Sequence, residues 1–244
     1  MKLFVLLTLP VLVLARETLE QSAVHCRELI RYRTWGIGTI MSTFKNNDDG
    51  LEGHAIGLQE YYTEYPDDSG DLLILAMPIG RVFKNSLPPY SQNISFTVSD
   101  LYGLGDGYLA AGRMRFVFFG TLEQAPLSDF MTNSKAYVFA HPEAKWWIPG
   151  PTAPHKAFFA RLKVEKIYAL DGFGNFAYIG YIPHELYQSA GKFVRSKEDV
   201  LGRWPKPGRP FEEGEAHYGD LNFEESALGE GIELRQDDRI KIQL

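Results

Sequence analysis

Hydrophobic and polar positions along the chain repeat with two different periods. From Glu17 to Arg33 the sequence lacks Gly and Pro, and Leu19, Val24, Leu29 and Ile30 recur at helical spacing, which predicts one amphipathic helix. From Trp35 to Phe44 the period becomes that of a strand, with Gly36 and Gly38 where another element can approach closely. Asn46 to Gly50 reads as a turn, and its Asp48-Asp49 pair lacks the spaced oxygens of an EF-hand loop. Two strands follow, His54 to Tyr62 and Asp71 to Ile79, joined by a polar turn. Within the second, Leu72 to Met77 is continuously apolar, the mark of a strand buried on both faces. A short helix is expected over Arg81 to Leu87, then an alternating strand over Asn93 to Leu101. Ser99 to Gly112 is rich in Gly and Asp but lacks the Lys-Ser/Thr of a phosphate loop, and strands flank it, so it reads as a long hairpin loop. The next strand, Arg113 to Glu123, places Arg113 and Arg115 on one face.

Ser128 to Trp147 predicts a helix capped by Ser128, with a second helical piece starting at His141-Pro142. His141 reads as structural, and Trp146 and Trp147 as packing anchors. His155 to Tyr187 predicts a β-hairpin: a long half-wet strand, a turn at Asp171 to Asn175, a return over Phe176 to Ile182, and a closing helix after Pro183. From residue 191 to 244 the composition shifts to Lys, Glu, Asp, Gly and Pro, which predicts an extended, poorly ordered tail. This order of elements predicts a β-rich α+β fold, an antiparallel barrel with helices at its gaps.

Composition narrows the function. A hydrophobic share of 45% in 244 residues supports a single sizeable core. The formal net charge of −6, without a cluster of Lys or Arg, argues against a nucleic-acid partner. Cys26 is the only cysteine, so neither an internal disulfide nor a cysteine zinc site can form, and no other metal constellation stands out. The start of the chain, with Lys2, an apolar run from Leu3 to Leu14 and Val13-x-Ala15, has the pattern of a signal peptide over residues 1–15. The run is too short to span a bilayer, so no membrane span is expected after cleavage. Secretion, or delivery to a vacuolar or lysosomal lumen, follows, and it gives meaning to the sequon Asn93-Ile94-Ser95 as a glycosylation site on an exposed rim.

Four stretches together resemble a known family: His141-Pro142-Glu143-Ala144-Lys145-x-Trp147; His155-x-x-Phe158-Phe159-Ala160-x-Leu162; Leu170-Asp171-x-Phe173-Gly174; and Pro183-x-Glu185-x-Tyr187. They are similar to the CREG-like secreted glycoproteins of the FMN-binding split-barrel superfamily, relatives in fold of pyridoxamine 5'-phosphate oxidase. Trp35-Gly36 followed by Thr39-Ile40-x-Ser42-Thr43 resembles the family's opening strand. The resemblance implies an antiparallel split β-barrel over residues 16–190, a homodimer, and sites at the subunit interface. FMN-binding members hold phosphate with Arg and Lys from barrel strands and turns. Here the strand His54 to Glu60 carries no such cation, which leaves Arg81, Lys84 and Arg113 as weak candidates beside a reading as solvated surface charge. CREG-like members imply a flavin pocket filled by a loop, for which Ser99 to Gly112 and Asp171 to Asn175 are the two candidates.

Two functions follow. With no G-x-S-x-G elbow, kinase pattern or partner for Cys26, the leading expectation is a non-enzymatic, dimeric binding scaffold with no cofactor. The alternative is an FMN-dependent oxidoreductase, in which flavin carries the chemistry and the protein positions it.

Overall fold

The apolar run at Leu72–Ala76 resolves into two opposed faces. Leu72, Ile74 and Ala76 point into a barrel, while Leu73 and Leu75 point outward to a second layer of aromatic residues. A strand with a core on each side has no wet face, hence its unbroken hydrophobicity. The computed structural model describes residues 17–45, 50–88, 93–101, 112–150, 153–172 and 177–202. The expected signal peptide, much of the Gly-rich loop, the tip of the hairpin turn and residues 203–244 lie outside them.

The elements are helix α1 (Leu19–Tyr32), strands β1 (Ile37–Thr43), β2 (Ala55–Glu64) and β3 (Leu72–Ala76), helix α2 (Arg81–Ser86), strands β4 (Ile94–Ser99) and β5 (Met114–Gln124), helix α3 (Phe130–Ala140), strands β6 (Phe158–Asp171) and β7 (Tyr178–Ile182), and helices α4 (His184–Ala190) and α5 (Lys197–Gly202). All strand pairings are antiparallel, in the order β3-β2-β1-β4-β5-β6-β7, and a further β3–β6 pairing closes the first six strands into a barrel. The expected antiparallel split barrel with flanking helices is therefore the observed architecture.

The split lies along β6. One edge of this strand pairs with β5 along its length; the other is shared, Phe158–Leu162 pairing with β3 and Ile167–Asp171 with β7. Backbone groups between the two partners face a gap, where an unpaired buried N–H is costly. Asp71, just before β3, fills it: its Oδ1 accepts from Val164 N at 2.9 Å and its Oδ2 from Arg161 Nε at 2.6 Å. Opposite Val164, Gly120 lets the strands close, since a Cβ there would lie 1.8 Å from the Lys163 carbonyl oxygen.

The barrel interior is filled by Ile40, Tyr62, Phe96, Phe116, Phe118 and Leu162, and its open end is closed by the Ala23, Cys26, Leu29 and Ile30 face of α1. Cys26 is fully buried, and burial pushes its thiol up. A capping box starts α1, Thr18 Oγ1 accepting from Gln21 N and Gln21 Oε1 from Thr18 N. Ser128 caps nothing: it sits in a 3₁₀ turn, Leu127–Asp129, donating to Asp129, and α3 begins two residues later than expected. Pro142 ends α3 because the residue before a proline disfavours helical geometry, and His141 is extended (φ −135°, ψ 81°). Of the expected tail, residues 191–202 form a 3₁₀ turn and α5. Arg195 in this segment is paired with buried Glu28 of α1 at 2.6 Å.

Candidate functional site

The site is built on the end of β2. Tyr62 points inward, and its hydroxyl donates to the Ile30 carbonyl at 3.1 Å. Tyr61 points outward beneath the segment that follows α3. Because Pro142 stops that helix, the chain winds through a 3₁₀ turn, Pro142–Trp146, which delivers Trp147 onto the Tyr61 ring. The two rings are nearly parallel, 9° between planes and 6.0 Å between centroids. The His141 imidazole stacks on the same Tyr61 ring at 4.6 Å. Its Nε2 lies 2.8 Å from the Tyr62 carbonyl oxygen, and since a carbonyl only accepts, Nε2 carries the proton. Burial lowers the His141 pKa against the pull of that hydrogen bond, so the ring is neutral. Tyr137 of α3 donates to the Tyr61 carbonyl at 3.3 Å, and burial raises its pKa.

This approach requires Gly36. Its φ is +65°, and a Cβ there would stand 2.4 Å from His141 Cε1 and 2.7 Å from the Tyr62 carbonyl oxygen. The expectation that His141 is structural agrees with its place. Trp147 is an anchor as expected, whereas Trp146 is 69% exposed beneath the Lys145 ammonium, 5.0 Å from its ring.

Above the shelf opens a cleft of about 530 Å³, walled by Tyr61, Tyr137, Trp147, Leu75, Met77 and Ile37, with His155 and Ala157 at the approach to β6. Glu60 also borders it, with its side chain on the face of β2 opposite Tyr61, and desolvation raises its pKa to about 7. An aromatic floor of this kind can stack a planar ring.

The cations singled out from sequence are elsewhere. Arg81 and Lys84 lie on α2, Arg81 with its guanidinium 5.4 Å from the Phe44 ring, beyond the C-terminal end of β1. Arg113 precedes β5, whose Arg115 pairs with Ser99 while Thr97 pairs with Thr39, so it belongs to the opposite end of β1. A strand of 7 residues separates those ends by about 20 Å, too far for one phosphate. Lys84 is exposed, and none of the three lines the cleft. Asn93 is exposed immediately before β4, on the rim where glycosylation requires it. Asp171, expected to open a plug-forming turn, is the buried last residue of β6 and bonds His25; residues 173–176 of that turn lie outside the described residues. Glu60 and Tyr61 of β2 and Tyr137 of α3 were not among the residues singled out from sequence. The one legible signal was an acidic residue beside two tyrosines in a strand otherwise read for cations.

The chain matches the CREG, beta-barrel family over residues 17–189. A comparison with curated proteins finds no match. Among solved structures, a heme binding protein from Mycobacterium smegmatis superposes with a TM-score of 0.54 at 14% identity, covering 72% of this chain and 62% of that one. This chain thus spans under two thirds of that protein's length. A FAD-binding protein from Mesorhizobium loti (TM-score 0.41, 24% identity, 61% and 93% covered) and a FAD and heme binding protein from M. smegmatis (0.46, 11%, 84% and 93%) are more distant likenesses. These findings correct the expectations of a non-enzymatic scaffold and of no cofactor: the barrel is shared with a cofactor-binding protein and here carries an open, desolvated cleft.

Proposed function

The chain belongs to the CREG, beta-barrel family, and from that premise we propose that it binds a flavin-type cofactor and acts as an oxidoreductase, the cleft over Tyr61 receiving the flavin ring. The observation that carries this reading is the Tyr61–Trp147 shelf on the floor of a mainly apolar cleft.

The cleft's size falls within the roughly 300–1,000 Å³ of small-molecule sites, and its walls are mainly apolar, so a planar ring fits. A phosphate does not, since among the described residues no Arg or Lys lines it. The residues present would hold the ring end of a flavin nucleotide. The flavin, when bound, supplies hydride transfer. Tyr61 and Trp147 orient the ring and exclude water from a face.

Two further properties belong to this reading. The signal-peptide pattern and exposed Asn93 support passage through the secretory pathway with glycosylation at that residue. Exposed Met41, Phe119, Ile179 and Tyr181 on the outer face of the strands support a homodimer. No helix among the described residues is long and apolar enough to cross a membrane.

Adding FMN, FAD or hemin to purified protein tests the cofactor reading. A concentration-dependent rise in Tm with a flavin is the expected result. No rise at high micromolar flavin overturns the proposal, and a rise with hemin alone replaces flavin by heme.

A further inference from the structure

Away from the cleft, where α1 meets the end of β6, His25 Nδ1 lies 2.8 Å from Glu17 Oε1 and 3.0 Å from Asp171 Oδ2. One ligand atom from each of the three lies within 4.8 Å of the others, the one such group of His, Cys, Asp and Glu among the described residues. None of the three lines the cleft.

A proton on Nδ1 can bridge these groups, but two features are left over. Asp171 has a side chain that is 0% exposed, and its Oδ1 has only the Ser22 hydroxyl to favour its charge, at a geometry short of a well-formed hydrogen bond. An unsatisfied buried carboxylate oxygen is costly. In addition, two carboxylates around one imidazolium leave a negative charge uncompensated at a site closed on one side. A dication bound by two carboxylates and a neutral imidazole leaves the cluster neutral and gives Asp171 Oδ1 a second route to a partner.

We propose that Glu17, His25 and Asp171 form a site for a divalent cation of the zinc class, fastening the start of α1 to the β6–β7 hairpin. Zinc bonds of about 2.0–2.2 Å in a tetrahedral shell put ligand atoms about 3.3 Å apart. The two edges to His25, 2.8 and 3.0 Å, need to widen only by tenths of an ångström, and the Glu17 and Asp171 oxygens stand within 4.8 Å of each other. Imidazole nitrogen as a ligand selects zinc or a similar transition metal over calcium and magnesium, which take oxygen shells. Glu17 and His25 side chains are 23% and 28% exposed, so solvent reaches the site and water completes the shell. Binding releases the Nδ1 proton, and no redox partner is required.

The test is titration of chelator-stripped, untagged full chain with zinc chloride, read by calorimetry and by Tm, with cobalt(II) absorption reporting geometry. One equivalent of zinc is expected, with tetrahedral cobalt bands in the visible. Glu17→Gln, at a partly exposed position, is expected to fold and to weaken binding at least about tenfold, as is His25→Gln. Absence of zinc binding at 100-fold molar excess, or zinc affinity unchanged in both variants, overturns the site. The outcome is independent of the flavin reading, because neither variant touches the cleft.

Discussion

Asp71 Oδ1 accepts the Val164 backbone N–H across 93 positions of sequence, at the point where β6 has left β3 and not yet met β7. A single carboxylate thus satisfies a backbone N–H in the gap of the strand that splits the barrel, and it holds Arg161 as well. Asp71→Ala leaves a buried N–H unpaired and removes a charge partner of Arg161. The expected loss is about 2–4 kcal/mol in urea or guanidinium unfolding. Asp71→Asn keeps an acceptor for Val164 and is expected to lose about half as much.

Gly36→Ala is expected to destabilise the protein by about 2 kcal/mol, because φ is +65° there and the new Cβ meets His141 and the Tyr62 carbonyl oxygen. Replacing His141 by Ala in the same chain removes the side-chain clash but leaves the backbone strain. A double-mutant cycle is therefore expected to show positive coupling of about 1 kcal/mol rather than additivity.

Glu60 has a folded pKa of about 7, raised by desolvation above its ordinary 4.5. Between those values the folded state keeps a proton that the unfolded state has lost, so this group lowers stability as pH rises from 4.5 to 7. Glu60→Gln removes that slope. Its Tm relative to the parent is expected to rise between pH 5 and pH 8, and an unchanged difference contradicts the desolvated carboxyl.

His25 has the same sign for a different reason. Burial alone lowers its pKa, but hydrogen bonds and charge from Asp171 and Glu17 outweigh it and raise the pKa from 6.5 to about 10. In metal-free protein the resulting stability is fully present below pH 6.5 and is lost as pH rises toward 10. The stability difference between parent and His25→Gln, measured by chemical denaturation, is expected to shrink over that window and vanish at its top.

The barrel was legible because its strands carry their burial in the sequence. Leu72 to Met77 is apolar without a break because both faces are covered, and the alternation of β6 follows its inward and outward residues. The family resemblance placed the fold for the same reason. Helix boundaries were less legible: Ser128 has the chemistry of a cap, but a 3₁₀ turn reaches it first, and the capping box at Thr18 and Gln21 was overlooked. The cleft was hidden because Glu60, Tyr137 and Trp147 meet only after β2, α3 and the turn behind Pro142 are packed. Desolvation of Glu60 is a property of that packing, not of its neighbours in sequence. Arg81 and Arg113 were joined by charge alone, and the register of β1, β4 and β5 separates them.

A planar ring stacking over Tyr61 and Trp147 is the central feature of the proposed function. Titrating the parent chain and Trp147→Ala with FMN, following flavin fluorescence, tests this most directly. Saturable quenching with the parent, weakened about tenfold or more in the variant while its circular dichroism is unchanged, is the predicted result. No saturable binding by the parent, or equal binding by parent and variant, contradicts it.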